Sequence, residues 1–167
     1  KKQWSPVDAH YFGHKLYHRQ VPIIAGAMVG FSRGTVAQMG HIYRAMPMGG
    51  VTDERGRCED RKGATEELST AICLHQNGVA AENTRDVKGR EPIMIFWPDA
   101  HLRRMERPPR GSSEEGWFWK NKPDEVGDLD DCCSRFPFAL HGIKSAGNLQ
   151  AIEDWIYNGK DFKSAIS

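Results

Sequence analysis

The sequence predicts an α+β fold, a single compact domain with four to five helices packed on a small sheet. Three observations predict it. Apolar stripes at helical spacing recur with capping and stopping residues around them. The run Ile93-Met94-Ile95-Phe96-Trp97 is apolar throughout and reads as a strand covered on both faces. The chain has 167 residues, 39% hydrophobic and 27% charged, which suits one domain with its own core. A chain of this length buries roughly 70% of its unfolded surface.

The elements follow in chain order. Ser5-Pro6-Val7-Asp8 has the chemistry of a helix start, with Ser5 as cap and Pro6 in the first turn. That helix is expected to run to Arg19, before Pro22. Val21 to Phe31 is a short apolar run, read as a buried helix or strand; Gly26, Gly30 and Gly34 repeat at spacing four along and just beyond it. A helix is expected from Thr35 to Met46, with Val36, Met39, Tyr43 and Met46 on its inner side. Pro47 to Gly63 reads as a charged loop.

Thr65 can cap the next helix, whose stripe is Leu68, Ala71, Ile72 and His75, with Gly78 as its stop. His75 is therefore expected in the core. Val79 to Ala81 and Pro92 to Trp97 read as strands, and Pro98-Asp99 opens a short helix to about Arg107. Trp117-Phe118-Trp119 reads as a short strand. The last helix is expected from Ala146 to Asn158, capped by Ser145, stopped by Gly159, and buried through Leu149, Ile152, Trp155 and Ile156. Residues 1–167 form one domain, with 108–116 and 120–131 as long surface loops.

Charge narrows the partners. With 23 basic and 22 acidic residues the net charge is +1, so the whole molecule exerts no pull on nucleic acid or anionic lipid. Nucleic acid is not an expected partner. No apolar run reaches the ~20 residues of a membrane span. Five Trp and seven Phe supply a ring-rich core; a ring-lined groove for sugars or bases is the alternative, and exposed Trp residues would offer a surface to a protein partner. The chain opens on Lys1 without a Met, which reads as processing, trimming or partial representation.

Four cysteines, Cys58, Cys73, Cys132 and Cys133, remain as chemical candidates. In an oxidising compartment they could form two bridges, and bonding between the adjacent pair is disfavoured by geometry. The alternatives are buried free thiols or a reactive one. If Asp131 caps a helix, Cys132 and Cys133 lie in its first turn, where the helix dipole stabilises a thiolate. His141, eight residues beyond Cys133, could serve as its base. Asp131-Cys132-Cys133-Ser134-Arg135-Phe136 resembles the Asp-Cys-Ser-Gly-Phe signature of NlpC/P60-type cysteine peptidases over six residues. It departs by an extra Cys and by Arg135 in place of Gly, and the downstream His-bearing strand of that family is not visible. No family is assigned on it.

His10, His14 and His18, at spacing four, would share one face of a helix and could hold a zinc, copper or nickel ion. The acidic stretch Asp124, Glu125, Asp128, Asp130 and Asp131 reads as a solvated loop, and Arg103, Arg104, Arg107 and Arg110 as a diluted basic run. Phosphate-cradling glycine patterns and the Gly-x-Ser-x-Gly elbow are missing from the sequence.

Three functional expectations follow. The first is a small hydrolase with Cys133 or Cys132 as nucleophile and His141 as base, acting on peptide or cell-wall amides in a secreted or periplasmic setting. The second is a non-catalytic interaction protein or accessory subunit of a larger assembly. The third is a metal-binding domain built on His10, His14 and His18. The sequence names no cofactor.

Overall fold

The structure is a computed structural model, and it describes residues 5–45, 65–96, 109, 111–113, 116–121, 134 and 137–160. The first expected helix is a turn followed by a strand. Asp8 N donates to Ser5 O (3.2 Å), closing a turn over Pro6, and β1 then runs over Tyr11–His18. Tyr, Phe and Tyr favour a pleated strand, and Gly13 disfavours a helix interior. Pairing decides the matter: β1 lies antiparallel to β2 (Val21–Phe31) along its whole length. Arg19 and Gln20 join the two strands with φ of 47° and 70°. Two left-handed residues make the tight loop whose twist suits a hairpin.

β1 is the centre of a three-stranded sheet, with β2 on one side and β3 (Ala81–Asn83) parallel to it on the other. β2 is thus an edge strand, which is where Pro22 is tolerated. β1 is interrupted once. Gly13 pairs with Val29 while His14 pairs with Ala25, so Gly26, Ala27 and Met28 bulge out of β2. Gly13 and His14 are neighbours and both buried. Successive strand residues point to opposite faces, so β1 is covered on both sides here.

α1 (Arg33–Ala45) follows β2 directly. Ser32 caps it, accepting from Thr35 N (3.1 Å) and also from His10 N (2.9 Å). Its inner side is carried by Met39 and Ile42, while Val36 faces solvent. α2 (Glu66–Gln76) begins at Thr65, whose hydroxyl accepts from Leu68 N, and ends before Gly78 at φ 79°. Ala71, Ile72, Cys73 and Leu74 are all buried, so α2 is sunk into the molecule against β2. His75 is exposed, a correction to its expected place in the core. Cys73 is disulfide-bonded, and no bridge joins two described residues.

β4 (Ile93–Met94) pairs in parallel with β5 (Ala139–Leu140) as a separate two-stranded sheet. Trp117-Phe118-Trp119 opens a short helix, α3 (Trp117–Asn121), rather than a strand. The helical turn lets Phe118 and Trp119, adjacent in sequence, both enter the core. α4 (Ala146–Ile156) has the expected Ser145 cap, and Gly159 lies past its end at φ 68°. Its expected buried side is a correction: Leu149 is 56% and Ile156 45% exposed. The described residues thus form four helices and two small sheets, an α+β arrangement. The core joins Tyr11, Leu16 and Ile24 to Leu74, Val79, Ile95, Phe118 and Trp119.

Candidate functional site

The segment from β3 to β4 gathers the polar chemistry. It leaves the three-stranded sheet at Asn83, turns at Asp86–Arg90, and enters the second sheet at Ile93. The turn is tied from within. Asp86 accepts from Lys88 N (2.8 Å) and Arg90 N (3.0 Å) through Oδ1, and from the Arg90 guanidinium Nε (2.9 Å) through Oδ2. Ser134 Oγ donates to the same Oδ2 at 3.1 Å, and Ser134 N donates to Glu91 O at 3.1 Å. Led by the Arg90 bond, these donors hold the Asp86 carboxyl well below the usual carboxylate range.

Glu91 sits just inside that turn, 8% exposed. Its Oε1 accepts from Thr84 Oγ1 at 3.2 Å and Ile93 N at 3.4 Å. Its Oε2 is buried and accepts no hydrogen bond. Arg85 Nε and His14 Nδ1 stand near that oxygen, at 3.7 and 3.9 Å. Burial pushes the Glu91 carboxyl up to about 7, against the opposing pull of Arg85. His14 Nδ1 lies 2.7 Å from Ile93 O. A carbonyl only accepts, so that nitrogen carries the proton. The His14 ring also meets Phe118 edge-on at 6.2 Å.

A second pair lies one step along the sheet. His10 Nδ1 is 2.7 Å from Glu82 Oε1, bringing the start of β1 to β3. The same sheet holds Tyr11, whose hydroxyl accepts from Ile24 N at 3.1 Å and whose burial pushes its ionisation up to about 12.

The histidine row is therefore not brought together. On a strand, residues four apart are about 13 Å apart, and the shared helical face expected for His10, His14 and His18 does not exist. Instead, His10 and His14 each engage a different segment, Glu82 and Ile93. Among the described residues no three His, Cys, Asp or Glu side chains are grouped to hold a metal. His141 is exposed, with Nδ1 3.2 Å from Ile95 O. Cys132 and Cys133, its expected partners, lie outside the described residues. The acidic stretch from Asp124 to Asp131 and the arginines of the basic run, Arg103, Arg104, Arg107 and Arg110, lie outside them too. No described helix is long and apolar enough to cross a membrane. The residues that sequence reasoning passed over are Glu82, Arg85, Asp86, Arg90 and Glu91. The one signal for them was the Lys88-Gly89 turn beside a lone acid that precedes the apolar run at Ile93.

No protein-family model matches the chain. It is similar to glycoprotein-N-acetylgalactosamine 3-beta-galactosyltransferase 1 of Xenopus laevis, 27% identical over 95 residues. The match covers 57% of this chain and 25% of that enzyme, so the chain spans about a quarter of its relative's length. This corrects the expected hydrolase and the secreted setting attached to it. The relative is named for moving a sugar onto another sugar, not for cleaving a bond with water, and nothing in the described residues supports a secreted location.

Proposed function

We propose that this chain is part of a glycosyltransferase, one that places a galactosyl unit on N-acetylgalactosamine borne by a glycoprotein. The similarity over 95 residues to an enzyme named for that reaction carries the reading. The described architecture is compatible with it. A sheet covered on both faces, with charged side chains gathered where two sheets meet, is a rigid frame on which a sugar site can be built. The test offers the full chain a nucleotide-activated galactose together with a peptide bearing N-acetylgalactosamine. The expected result is an acceptor heavier by one hexose, with the unglycosylated peptide unchanged. Absence of transfer to any N-acetylgalactosaminyl acceptor overturns the reading.

A second reading, an accessory or interaction protein, is favoured by a separate observation. The outer side of α4 leaves Leu149, Ile156 and Tyr157 exposed, with Phe138 and Ile143 also exposed just before it. Exposed Trp117 adds a ring on α3. Apolar surface of this kind marks contact sites in soluble proteins. Self-association at dilute concentration, removed by Leu149→Gln, supports this reading; a monomer at every concentration counts against self-association as its form.

A further inference from the structure

Asparagine followed by glycine is the pairing in which a side-chain amide most readily reacts with its own backbone. Glycine has no Cβ to obstruct the approach of its nitrogen to the preceding carboxamide carbon. The chain holds two such pairs, Asn77-Gly78 and Asn158-Gly159, and each follows a helix. At the end of α2 the pair is tied down. Asn77 Nδ2 donates to Cys73 O (2.9 Å), Asn77 N to Leu74 O (3.1 Å) and Gly78 N to His75 O (3.1 Å). Val79 N then donates to Leu74 O (2.9 Å), and the Val79 side chain is buried. The nitrogen that would attack is engaged, and the residues on both sides of it are anchored. At the end of α4 the pair is open. Asn158, Gly159 and Lys160 are all exposed. Gly159 N donates to none of the described residues. The Asn158 carboxamide is held by one surface hydrogen bond, from Nδ2 to Asp154 Oδ1 (2.8 Å).

We propose that Asn158 is a self-modification site, an asparagine that the fold leaves free to deamidate while it protects Asn77. In the first step the Gly159 nitrogen gives its proton to solvent and attacks Asn158 Cγ. The new N–Cγ bond closes a cyclic imide as the Cγ–Nδ2 bond breaks, and Nδ2 takes a proton from water and leaves as ammonia. Water then adds to either imide carbonyl and opens the ring, giving aspartate or isoaspartate. Water is the only co-reactant. The product changes its surroundings. A donor to Asp154 becomes a carboxylate beside it, at the C-terminal end of α4 where the helix dipole already disfavours negative charge. Tyr157, the preceding residue, is exposed with Leu149 and Ile156, so the new charge falls at the edge of that apolar surface. The inference rests on the two helix ends and stands whether or not the chain transfers sugars.

The experiment ages the full wild-type chain in mildly alkaline water enriched in heavy oxygen, folded and, in parallel, unfolded in guanidinium. Digestion in ordinary water and mass measurement then follow conversion at both asparagines. The oxygen label marks conversion that preceded digestion, and electron-transfer fragmentation separates aspartate from isoaspartate. In the folded chain Asn158 is expected to convert faster than Asn77 by on the order of tenfold or more, because Asn77 must await local opening at the end of α2. In guanidinium the two rates should converge. Equal rates in the folded chain overturn the proposal, as does a folded Asn158 that stays intact while the unfolded chain converts. A gap that persists unchanged in guanidinium also overturns it, since sequence and not fold then sets the order. So does a product without isoaspartate, since opening of the imide gives both acids.

Discussion

At the residue scale, position 91 shows how place alters chemistry. A glutamate in water is a plain anion; with Oε2 buried and no donor on it, its neutral form is favoured. Nothing in the local sequence tells Glu91 from Glu82, which finds a histidine instead. His14 of β1, far away in the chain, stands 3.9 Å from the buried oxygen of Glu91. Gly26 makes the same point about backbone. Its φ is 94° and its missing side chain leaves room for Ile95. Gly78 shares the left-handed conformation, but nothing lies within 4 Å of where its Cβ would be. Gly78→Ala is therefore expected to cost about 1–2 kcal/mol of backbone strain alone. Gly26→Ala adds an overpacking cost of about 1–3 kcal/mol. Urea unfolding of the two variants checks the ordering, and an equal loss would contradict the close approach of Ile95. His75 shows the limit of periodicity as a guide. It completes an apolar stripe in the sequence, yet faces water, because α2 is buried all round at Ala71 to Leu74 and that cover stops before His75 and Gln76 at its end.

At the element scale, helix ends were legible and strand partners were not. Thr65 and Ser145 cap α2 and α4 as their sequences indicate, since a cap is a bond between residues three apart. Thr65→Ala is expected to lower stability by about 1 kcal/mol, read as a drop in thermal midpoint. The sequence of β1 reads as a helix because its defining contacts are with β2, through a hairpin closed by Arg19 and Gln20. Asn-Gly at those positions would have announced the turn; Arg-Gln does not. α3 reads the other way, as a strand, its rings being good strand formers that tertiary packing places on a helical turn. α4 is a correct helix with a wrongly assigned side. Leu149→Gln should therefore change stability by less than about 0.5 kcal/mol, whereas Leu74→Ala, in the core, should cost about 2–5 kcal/mol. Chemical denaturation of both separates an exposed from a buried leucine.

At the scale of the whole molecule, two carboxyls set opposite pH limits. Glu91 titrates higher in the folded chain than in the unfolded one. The stability that its neutral form contributes is present below its ordinary value of 4.5 and is lost as pH rises through about 7. The loss is on the order of 3 kcal/mol. Asp86 titrates lower when folded, so its contribution is present above the ordinary carboxylate value and is lost as pH falls through the lowered one. Thermal midpoint against pH is expected to peak on the acid side of neutrality. Asp86→Asn should reduce the fall on the acid limb and leave the alkaline limb in place. A profile unchanged in that variant would show that the turn at Asp86 does not control acid stability.

The sequence by itself determined the α+β class, α1 and α2 with their approximate ends, the cap and stop of α4, and the apolar run at Ile93. All of these rest on bonds or periodicities within a dozen residues. Tertiary structure alone decided that residues 11–18 are a strand, that the histidines part company along it, and that Glu91 is a buried acid between the two sheets. Those outcomes depend on contacts between segments far apart in the chain. His14 meets Ile93 across 79 positions, and no local pattern records which distant surface will exclude water from a given side chain.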